Sequence, residues 1–465
     1  MQVEVKFLGA SRTVTGSKYL IKSDELEGDI LVDAGLFQGS REWKEQNWES
    51  LPFDVTKIKA VLITHSHIDH IGFLPRLVKL GLNCPVFLTH ASKDLAELML
   101  IDSAQLQEEE ARYRSEHRIS RHANPVPLYN VADAKAAIKL LIGVQFNIKA
   151  PIIKNVSATW SRAGHILGAA SISVEINNNQ EKKSIQFSGD IGRFDVPILP
   201  DPEGIEFGDL LLIESTYGNR LHDDNNPKEA LKKSINETIT RDGVILIPSF
   251  AVGRTQELLF YIRELKEADL IPDVPVIVDS PMAQDATKIY YDHLDSLDNP
   301  ALKAFSKGHD IFRPNKLYFV RDRKESIELN NIKEPMILIS ASGMLAGGRI
   351  LHHIRHRIAD SKNTLLFVGY QPEGGKGAWI KSGASTVRIF NEEIPIRAQI
   401  SEISSLSAHG DYPELIRWCK SGTGLPKKVA VVHGENNQAE SFAKKLKEEL
   451  NWDCFVPSYL ETYKV

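Results

Sequence analysis

The chain has 465 residues, 42% of them hydrophobic and 25% charged, with a formal net charge of -5 at pH 7. That length exceeds a single compact core and predicts two or three domains of an ordinary globular protein. The negative balance argues against nonspecific coating of nucleic acid, whose affinity is carried by Lys and Arg, although local basic grooves remain compatible with it.

The N-terminal residues already read as a strand rather than a secretory signal, and no run approaches the roughly 18 apolar residues of a membrane span. A cytoplasmic protein without membrane contact is expected. Cys84, Cys419 and Cys454 are far apart and outside any CxxC pattern, as expected of free thiols in a reducing compartment.

Strands are predicted over residues 3–8, 18–21, 30–32, 60–64 and 86–89. A long helix should follow, with Ser92 as its N-cap, Leu95, Leu98, Ile101 and Leu106 inward, and Glu108, Glu109 and Glu110 on its solvated face. Strands over 170–176 and 183–188 flank the polar turn 177–180 and predict a hairpin.

Where the fourth strand ends, residues 65–70 read His-Ser-His-Ile-Asp-His. In an extended segment, residues i and i+2 point the same way, so His65 and His67 can offer imidazoles to one cation. Asp69 and His70 follow as the chain turns and can face a second one. Nitrogen and carboxylate donors without Cys suit zinc best, with manganese or iron as weaker candidates.

From about Thr216 the pattern changes to repeated strand, loop and helix units. The apolar strands 244–247, 276–278, 336–339 and 364–368 alternate with helices such as 255–265, which implies a parallel sheet buried on both faces, a doubly wound α/β domain. Two loops at strand ends here carry phosphate-binding signals, Ser249 with Arg254 and Ser340 with Ser342 and Gly343, where hydroxyls and backbone N–H groups could converge. The run 352–357, rich in His and Arg, reads as a polar, partly basic helix face rather than a metal site.

After about Asn391 the chain returns to shorter elements, and His409 and His433 stand at strand ends or loops beside Gly410 and Gly434. His165, Asp190 and Glu214 occupy similar positions earlier in the chain, each weak evidence alone and stronger beside the 65–70 cluster. If the late His residues complete the first site, the middle block is an insertion. The expected organisation is 1–213 as a first part, 214–392 as the inserted domain and 393–465 as the closing part of the outer domain.

The chain resembles the metallo-β-lactamase superfamily, specifically its β-CASP branch of RNA-processing nucleases. Within that branch it is similar to the endonuclease subunit of the cleavage and polyadenylation specificity factor and its prokaryotic homologues. The pieces that carry the resemblance are Val32-Asp33-Ala34-Gly35, the 65–70 cluster, Gly164-His165-Ile166-Leu167-Gly168, Ser188-Gly189-Asp190, Ile213-Glu214-Ser215-Thr216-Tyr217-Gly218, Ser407-Ala408-His409-Gly410-Asp411 and Val432-His433-Gly434-Glu435. They stand in family order over nearly the whole chain. The implied fold is a metallo-β-lactamase αββα sandwich with an inserted doubly wound parallel β-CASP domain.

The resemblance also implies roles. His65, His67 and His165 would hold one zinc ion, Asp69, His70 and His433 the other, and Asp190 would bridge the two. Asp33 would orient a ligand from behind, and Glu214 with His409 would form an acid pair outside the metals. Zinc lowers the pKa of bound water to about 7, so a hydroxide shared by two ions could attack phosphorus, while a His409 imidazolium protonates the departing sugar oxygen.

The expected activity is hydrolysis of single-stranded RNA, endonucleolytic with 5′ exonuclease action left open, giving 5′-phosphate and 3′-hydroxyl ends. The substrate would thread a cleft between outer and inserted domains, with hinges near residues 214 and 392. A homodimer is left open. Three rivals stand beside this reading: a small-molecule metallo-hydrolase of the superfamily, a DNA-repair β-CASP nuclease and a non-catalytic scaffold of a processing complex.

Overall fold

The computed structural model describes residues 1–116, 125–178, 180–223, 225–369, 371 and 374–465. Two compact units divide the chain: Met1–Leu221 with His409–Val465, and His222–Ala408.

The first unit is built on two sheets. Among the described residues, one has seven strands in the order Thr462–Lys464, Glu4–Phe7, Tyr19–Lys22, Asp29–Val32, Ile58–Leu62, Val86–Thr89 and Leu141–Val144. The other runs Cys454–Phe455, Lys428–Val432, Leu210–Glu214, Lys182–Phe187, Ala170–Asn177, Val156–Arg162 and Ala150–Ile153. Period-two alternation puts Val5, Phe7, Ile30, Val32, Ala60 and Leu62 of the first sheet into one buried cluster with Ile172, Val174, Ile185, Leu210, Leu212 and Ala430 of the second. The opposite face of the first sheet sends Leu31, Val61, Ile63 and Leu88 against helical Leu74, Leu77, Ala96, Leu100 and Ala104. This is the αββα layering expected from the sequence.

The hairpin between Ala170–Asn177 and Lys182–Phe187 forms in register from Asn177↔Lys182 to Ile172↔Phe187; Asn179 of its expected turn lies outside the described residues. The long helix spans His90–Glu116 and begins three residues earlier than an N-cap at Ser92 predicts. Its first turn is held instead by Thr89, whose hydroxyl accepts the Ser92 N–H at 3.2 Å. The buried face is Leu95, Ala96, Leu100 and Ala104, while Leu106, expected inward, is exposed. Alanines pack this helix closely and carry most of the signal that larger apolar residues were expected to give.

In the second unit a six-stranded sheet runs Leu317–Phe319, Val276–Asp279, Met336–Ser340, Val244–Pro248, Thr364–Phe367 and Gln399–Glu402, counted among the described residues. All its pairings are parallel. Its central strands are buried throughout, as continuous apolar runs between helices require.

The unit boundaries fall later than the expected 213/214 and 392/393. Glu214 ends a strand paired on both sides within the sandwich, and Gln399–Glu402 pairs parallel with Thr364–Phe367. Sheet membership, which composition does not reveal, moves both crossings.

Candidate dinuclear metal centre

The site is assembled at the ends of strands from both sheets of the first unit. Asp29–Val32 is followed by Asp33 in a left-handed conformation (φ 58°), which turns its carboxylate inward. Gly35, next in the motif, is required by close approach: a Cβ there would stand 1.7 Å from the Asp69 carbonyl oxygen. The Ser17 N–H donates to that carbonyl at 2.8 Å and the Ser17 carbonyl oxygen accepts from Gly35 at 2.9 Å, while the Ala34 N–H donates to the His70 carbonyl oxygen at 2.7 Å, so the two motifs are tied together. Ile58–Leu62 leads to His65, and His67 caps the short helix Ile68–Ile71 that carries Asp69 and His70.

His165 comes from the loop between Val156–Arg162 and Ala170–Asn177, Asp190 from the turn after Lys182–Phe187, and Glu214 from the end of Leu210–Glu214. His433 follows Lys428–Val432 at φ 48°. Gly434 beside it accommodates Ser215, whose Oγ would lie 2.2 Å from a Cβ.

The side chains converge in two sets. In one, His67 Nδ1 lies 3.1 Å from both His65 Nε2 and His165 Nε2, and Asp190 Oδ2 lies 3.5 and 3.6 Å from the latter two. In the other, His70 Nε2 is 3.2 Å from His433 Nε2 and 3.4 Å from Asp190 Oδ1, and Asp69 Oδ2 is 3.5 Å from His433 Nε2. Asp190 thus turns one carboxylate oxygen to each set.

These spacings test the fit of a metal. Donors at 2.0–2.2 Å around a tetrahedral zinc stand about 3.3–3.6 Å apart along the tetrahedron's edges, close to what both sets show. Asp190 Oδ1 is buried yet has no hydrogen-bond partner among the described residues, a costly state for a carboxylate oxygen unless a cation faces it. The residues present fit two divalent ions.

The electrostatics agree. Burial, reinforced by the neighbouring His70, drives the His65 pKa well below the ordinary value. Burial likewise lowers that of His67 to about 4 although Asp69 and Asp190 oppose it. Both rings therefore carry free lone pairs at neutral pH. Burial also disfavours a charged His70, but the Asp190 and Asp33 carboxylates outweigh it and push its pKa well up. The field at His70 attracts a cation, whether proton or metal.

Behind the donors lies a supporting layer. The Asp33 carboxylate takes the His70 Nδ1 proton at 2.7 Å and the Thr64 N–H at 2.9 Å, so His70 Nε2 is turned outward. Ser17 Oγ adds a bond to Asp33 at 3.2 Å.

Glu214 is fully buried; the Ile191 N–H donates to its Oε1 at 2.5 Å, and His409 Nδ1 lies 3.1 Å from its Oε2. Burial works against a charged His409, but Glu214 more than compensates and lifts its pKa to about 9. His409 stands 4.0 Å from Asp190, beside the donor sets rather than within them.

Three hydroxyl residues belong to this layer and were not singled out from sequence: Ser17, Thr64 and Thr216. Thr64 Oγ1 is 3.0 Å from Asp33 Oδ1 and 3.1 Å from His65 Nδ1. Thr216 Oγ1 is 2.6 Å from Glu214 Oε2 and 3.2 Å from His433 Nδ1. Thr64 and Thr216 lie one and two positions from His65 and Glu214, which is their only sequence signal, whereas Ser17 has no singled-out neighbour in the chain.

The five residues expected to bind phosphate in the inserted unit behave differently. Ser249 and Ser340 are buried, with Ser249 Oγ against Thr255 Oγ1 at 3.0 Å and Ser340 Oγ donating to the Asp279 carbonyl oxygen at 3.0 Å. Arg254 is buried and paired with Glu257, and the Gly343 carbonyl oxygen accepts from Gln371 at 2.8 Å. Only Ser342 is partly exposed, with a long 3.4 Å contact to the Gly347 carbonyl oxygen.

The helix 349–357 also departs from expectation. His353 is fully buried between Asp279 Oδ2 at 2.6 Å and Asn330 Oδ1 at 2.9 Å, and Arg357 is buried with its guanidinium on the carbonyl oxygens of Leu329 and Ile332. These two side chains are internal clamps, because buried carbonyl and carboxylate oxygens need donors.

Two sheets packed face to face, flanked by helices, with histidines and aspartates gathered at strand ends, define a hydrolase of the metallo-β-lactamase type. Comparison with known proteins places the chain more narrowly. The metallo-beta-lactamase superfamily matches residues 13–95, a Beta-Casp domain 255–380, and a Zn-dependent metallo-hydrolase RNA specificity domain 393–457.

A ribonuclease of Thermus thermophilus is 34% identical over 94% of this chain and 94% of its own length. An RNase J-like protein of Methanocaldococcus jannaschii is 31% identical over 98% of each chain. Transcription termination factor FttA of that organism is 29% identical over 100% of this chain and 72% of its own. A solved structure, a protein of unknown function from Enterococcus faecalis, covers 100% of both chains at a TM-score of 0.54 and 11% identity, which speaks to fold alone. The chain belongs to the β-CASP branch of the metallo-β-lactamase superfamily and is a metal-dependent hydrolase.

Proposed function

We propose that the chain is a two-zinc ribonuclease that hydrolyses phosphodiester bonds of single-stranded RNA endonucleolytically. The observation that carries this reading is the Asp190 carboxylate, which turns one oxygen to each of two donor sets beside the Glu214–His409 pair. The names of the ribonuclease and RNase J-like relatives support RNA as the substrate. Among the described residues no helix is long and apolar enough to cross a membrane. The three cysteines are free thiols, as a reducing cytoplasm would keep them.

His65, His67 and His165 would hold one ion and Asp69, His70 and His433 the other, with Asp190 spanning both and Asp33 orienting His70. Bound there, divalent zinc supplies Lewis acidity that ionises water near neutral pH and offsets charge gathering on the phosphate. His409, held through Nδ1 by Glu214, keeps a proton on its other ring nitrogen at neutral pH. It delivers that proton to the departing 3′ oxygen, which leaves a 3′-hydroxyl and a 5′-phosphate.

The test is incubation of the zinc-loaded protein, and of Asp69→Ala, with end-labelled single-stranded RNA and DNA of one sequence. Internal RNA cleavage leaving 5′-phosphates, absent from the variant, is expected. Cleavage of neither polymer, or equal cleavage by the variant, would overturn the reading.

A further inference from the structure

Each donor set contains a histidine whose second ring nitrogen rests on a threonine hydroxyl, and each threonine reaches a buried carboxylate; His70 Nδ1 also lies 3.3 Å from Thr64 Oγ1 but is held by Asp33 at 2.7 Å. His65 turns Nε2 to its set and Nδ1 to Thr64, which contacts Asp33. His433 turns Nε2 to His70 at 3.2 Å and Asp69 at 3.5 Å, and Nδ1 to Thr216, which contacts Glu214. The two arrangements differ in where they lead. Asp33 leads on to His70, itself a donor of the second set, whereas Glu214 leads on to His409, which stands outside both sets.

We propose that Thr216 is a positioning residue that fixes the proton of His433 on Nδ1, so that Nε2 offers its lone pair to the second ion, and that it joins this ligand to the Glu214–His409 pair. A neutral imidazole carries one N–H, and which nitrogen keeps it is set by the partner of the other. Thr216 has a single hydroxyl proton. Its 2.6 Å contact with the Glu214 carboxylate is shorter than its 3.1 Å contact with the His433 carbonyl oxygen, so the carboxylate takes the proton.

The hydroxyl oxygen then faces His433 Nδ1 at 3.2 Å with lone pairs only, and accepts. Asp190 Oδ1, 3.3 Å from the same nitrogen, is the competing acceptor. In the two-ion reading that oxygen is engaged by metal, which leaves Thr216 as the partner of Nδ1. The resulting chain of donors runs from His433 through Thr216 to Glu214, where His409 donates from the other side.

Without the hydroxyl, His433 can place its proton on Nε2 and donate to Asp69, and the second ion loses a ligand. The inference rests on the two-ion reading, and its test measures metal rather than cleavage. Metal-free full-length protein, Thr216→Val and Thr216→Ser are titrated with zinc against a chromophoric chelator. Loss of an outer hydrogen bond to a ligand typically costs 10- to 100-fold in affinity. Thr216→Val should therefore bind the first equivalent as the parent does and the second about 10- to 100-fold more weakly, with Thr216→Ser restoring it.

Two parental affinities in Thr216→Val would overturn the inference while leaving the two-ion reading intact. A parent that takes up fewer than two ions would overturn both. Should Thr216→Val fail to fold, histidine nitrogen resonances of the zinc-loaded parent decide: a proton on His433 Nδ1 supports the inference, and a proton on Nε2 with metal on Nδ1 overturns it.

Discussion

Polar residues stand at the ends of apolar strands in both compact units, yet they behave in opposite ways. In the sandwich, His65, His70, His165, Asp190 and His433 are buried with nitrogen and carboxylate donors facing one another, and Asp190 Oδ1 lacks a hydrogen-bond partner among the described residues. In the inserted unit, buried Asp279 accepts from His353, Ser326 and Arg349 at 2.6, 2.6 and 2.7 Å, while Ser249 and Ser340 are likewise satisfied internally. Donors and acceptors balance in the second case, and lone pairs are in excess in the first. That surplus is what marks a place for cations.

The sharpest way to break this contrast is Asp190→Ala, which removes the one carboxylate common to both sets. Metal content and cleavage should disappear together, as read by elemental analysis beside an RNA cleavage assay; two retained equivalents would refute the bridging role. His409→Ala should separate the two properties, with both ions kept and the single-turnover rate down by about 10² to 10⁴. Unchanged turnover would remove His409 from the reaction.

Asp279→Ala probes the balanced cluster. It strands a buried imidazole and a guanidinium, and should cost about 3–5 kcal/mol in the stability of its unit, seen as a lower unfolding midpoint with zinc stoichiometry unchanged. Loss of zinc in that variant would erase the distinction between the clusters.

Lys18 gives a smaller, pH-dependent effect. Burial lowers its pKa from 10.5 to about 7, although its amine donates to the Gly35 carbonyl oxygen at 2.6 Å and sits 4.2 Å from the Phe37 ring centroid. Between those two pH values the unfolded chain binds more protons than the folded one, so this residue makes stability rise with pH, and below pH 7 its full burial cost remains. Lys18→Met should therefore raise the melting temperature more at pH 6 than at pH 9; an equal gain at both would show that Lys18 does not titrate as described. Ser249→Ala should do least, changing stability by about 1 kcal/mol and cleavage hardly at all, and a large cleavage defect would restore it to the substrate path.

Much of the architecture is legible in the chain itself. Periodicity leads to mixed β with outer helices, a parallel domain after residue 216 and a return to short elements near residue 391, and the motif resemblance adds the sandwich and the insertion. The spacing in residues 65–70 marks a metal cluster because several strong donors within six positions have little use except around a cation. Isolated His165, Asp190, Glu214 and His433 gain meaning only beside it. They are far apart in sequence, and the fold brings them into groups whose ligand atoms lie within 4.8 Å.

Other properties depend on tertiary contacts. Ser249 and Ser340 look like phosphate ligands in sequence, and His353 and Arg357 like a solvated face, because local pattern reports secondary structure but not which neighbour lies across it. Burial and partner geometry turned those groups inward. Sheet pairing set the unit boundaries, since Gln399–Glu402 joins its sheet through hydrogen bonds to a strand 35 residues earlier.

The sequence by itself determined the strand and helix pattern, the kind of donor atoms and the chemistry they suit, because periodicity and residue type are local properties, while the layered sandwich came from the motif resemblance. Only the tertiary structure decided the distances at which Asp190 faces the two sets, that the ligand Asp33 holds is His70 and that threonine hydroxyls lie behind His65 and His433. Those facts are distances between strand ends, and no local pattern encodes them.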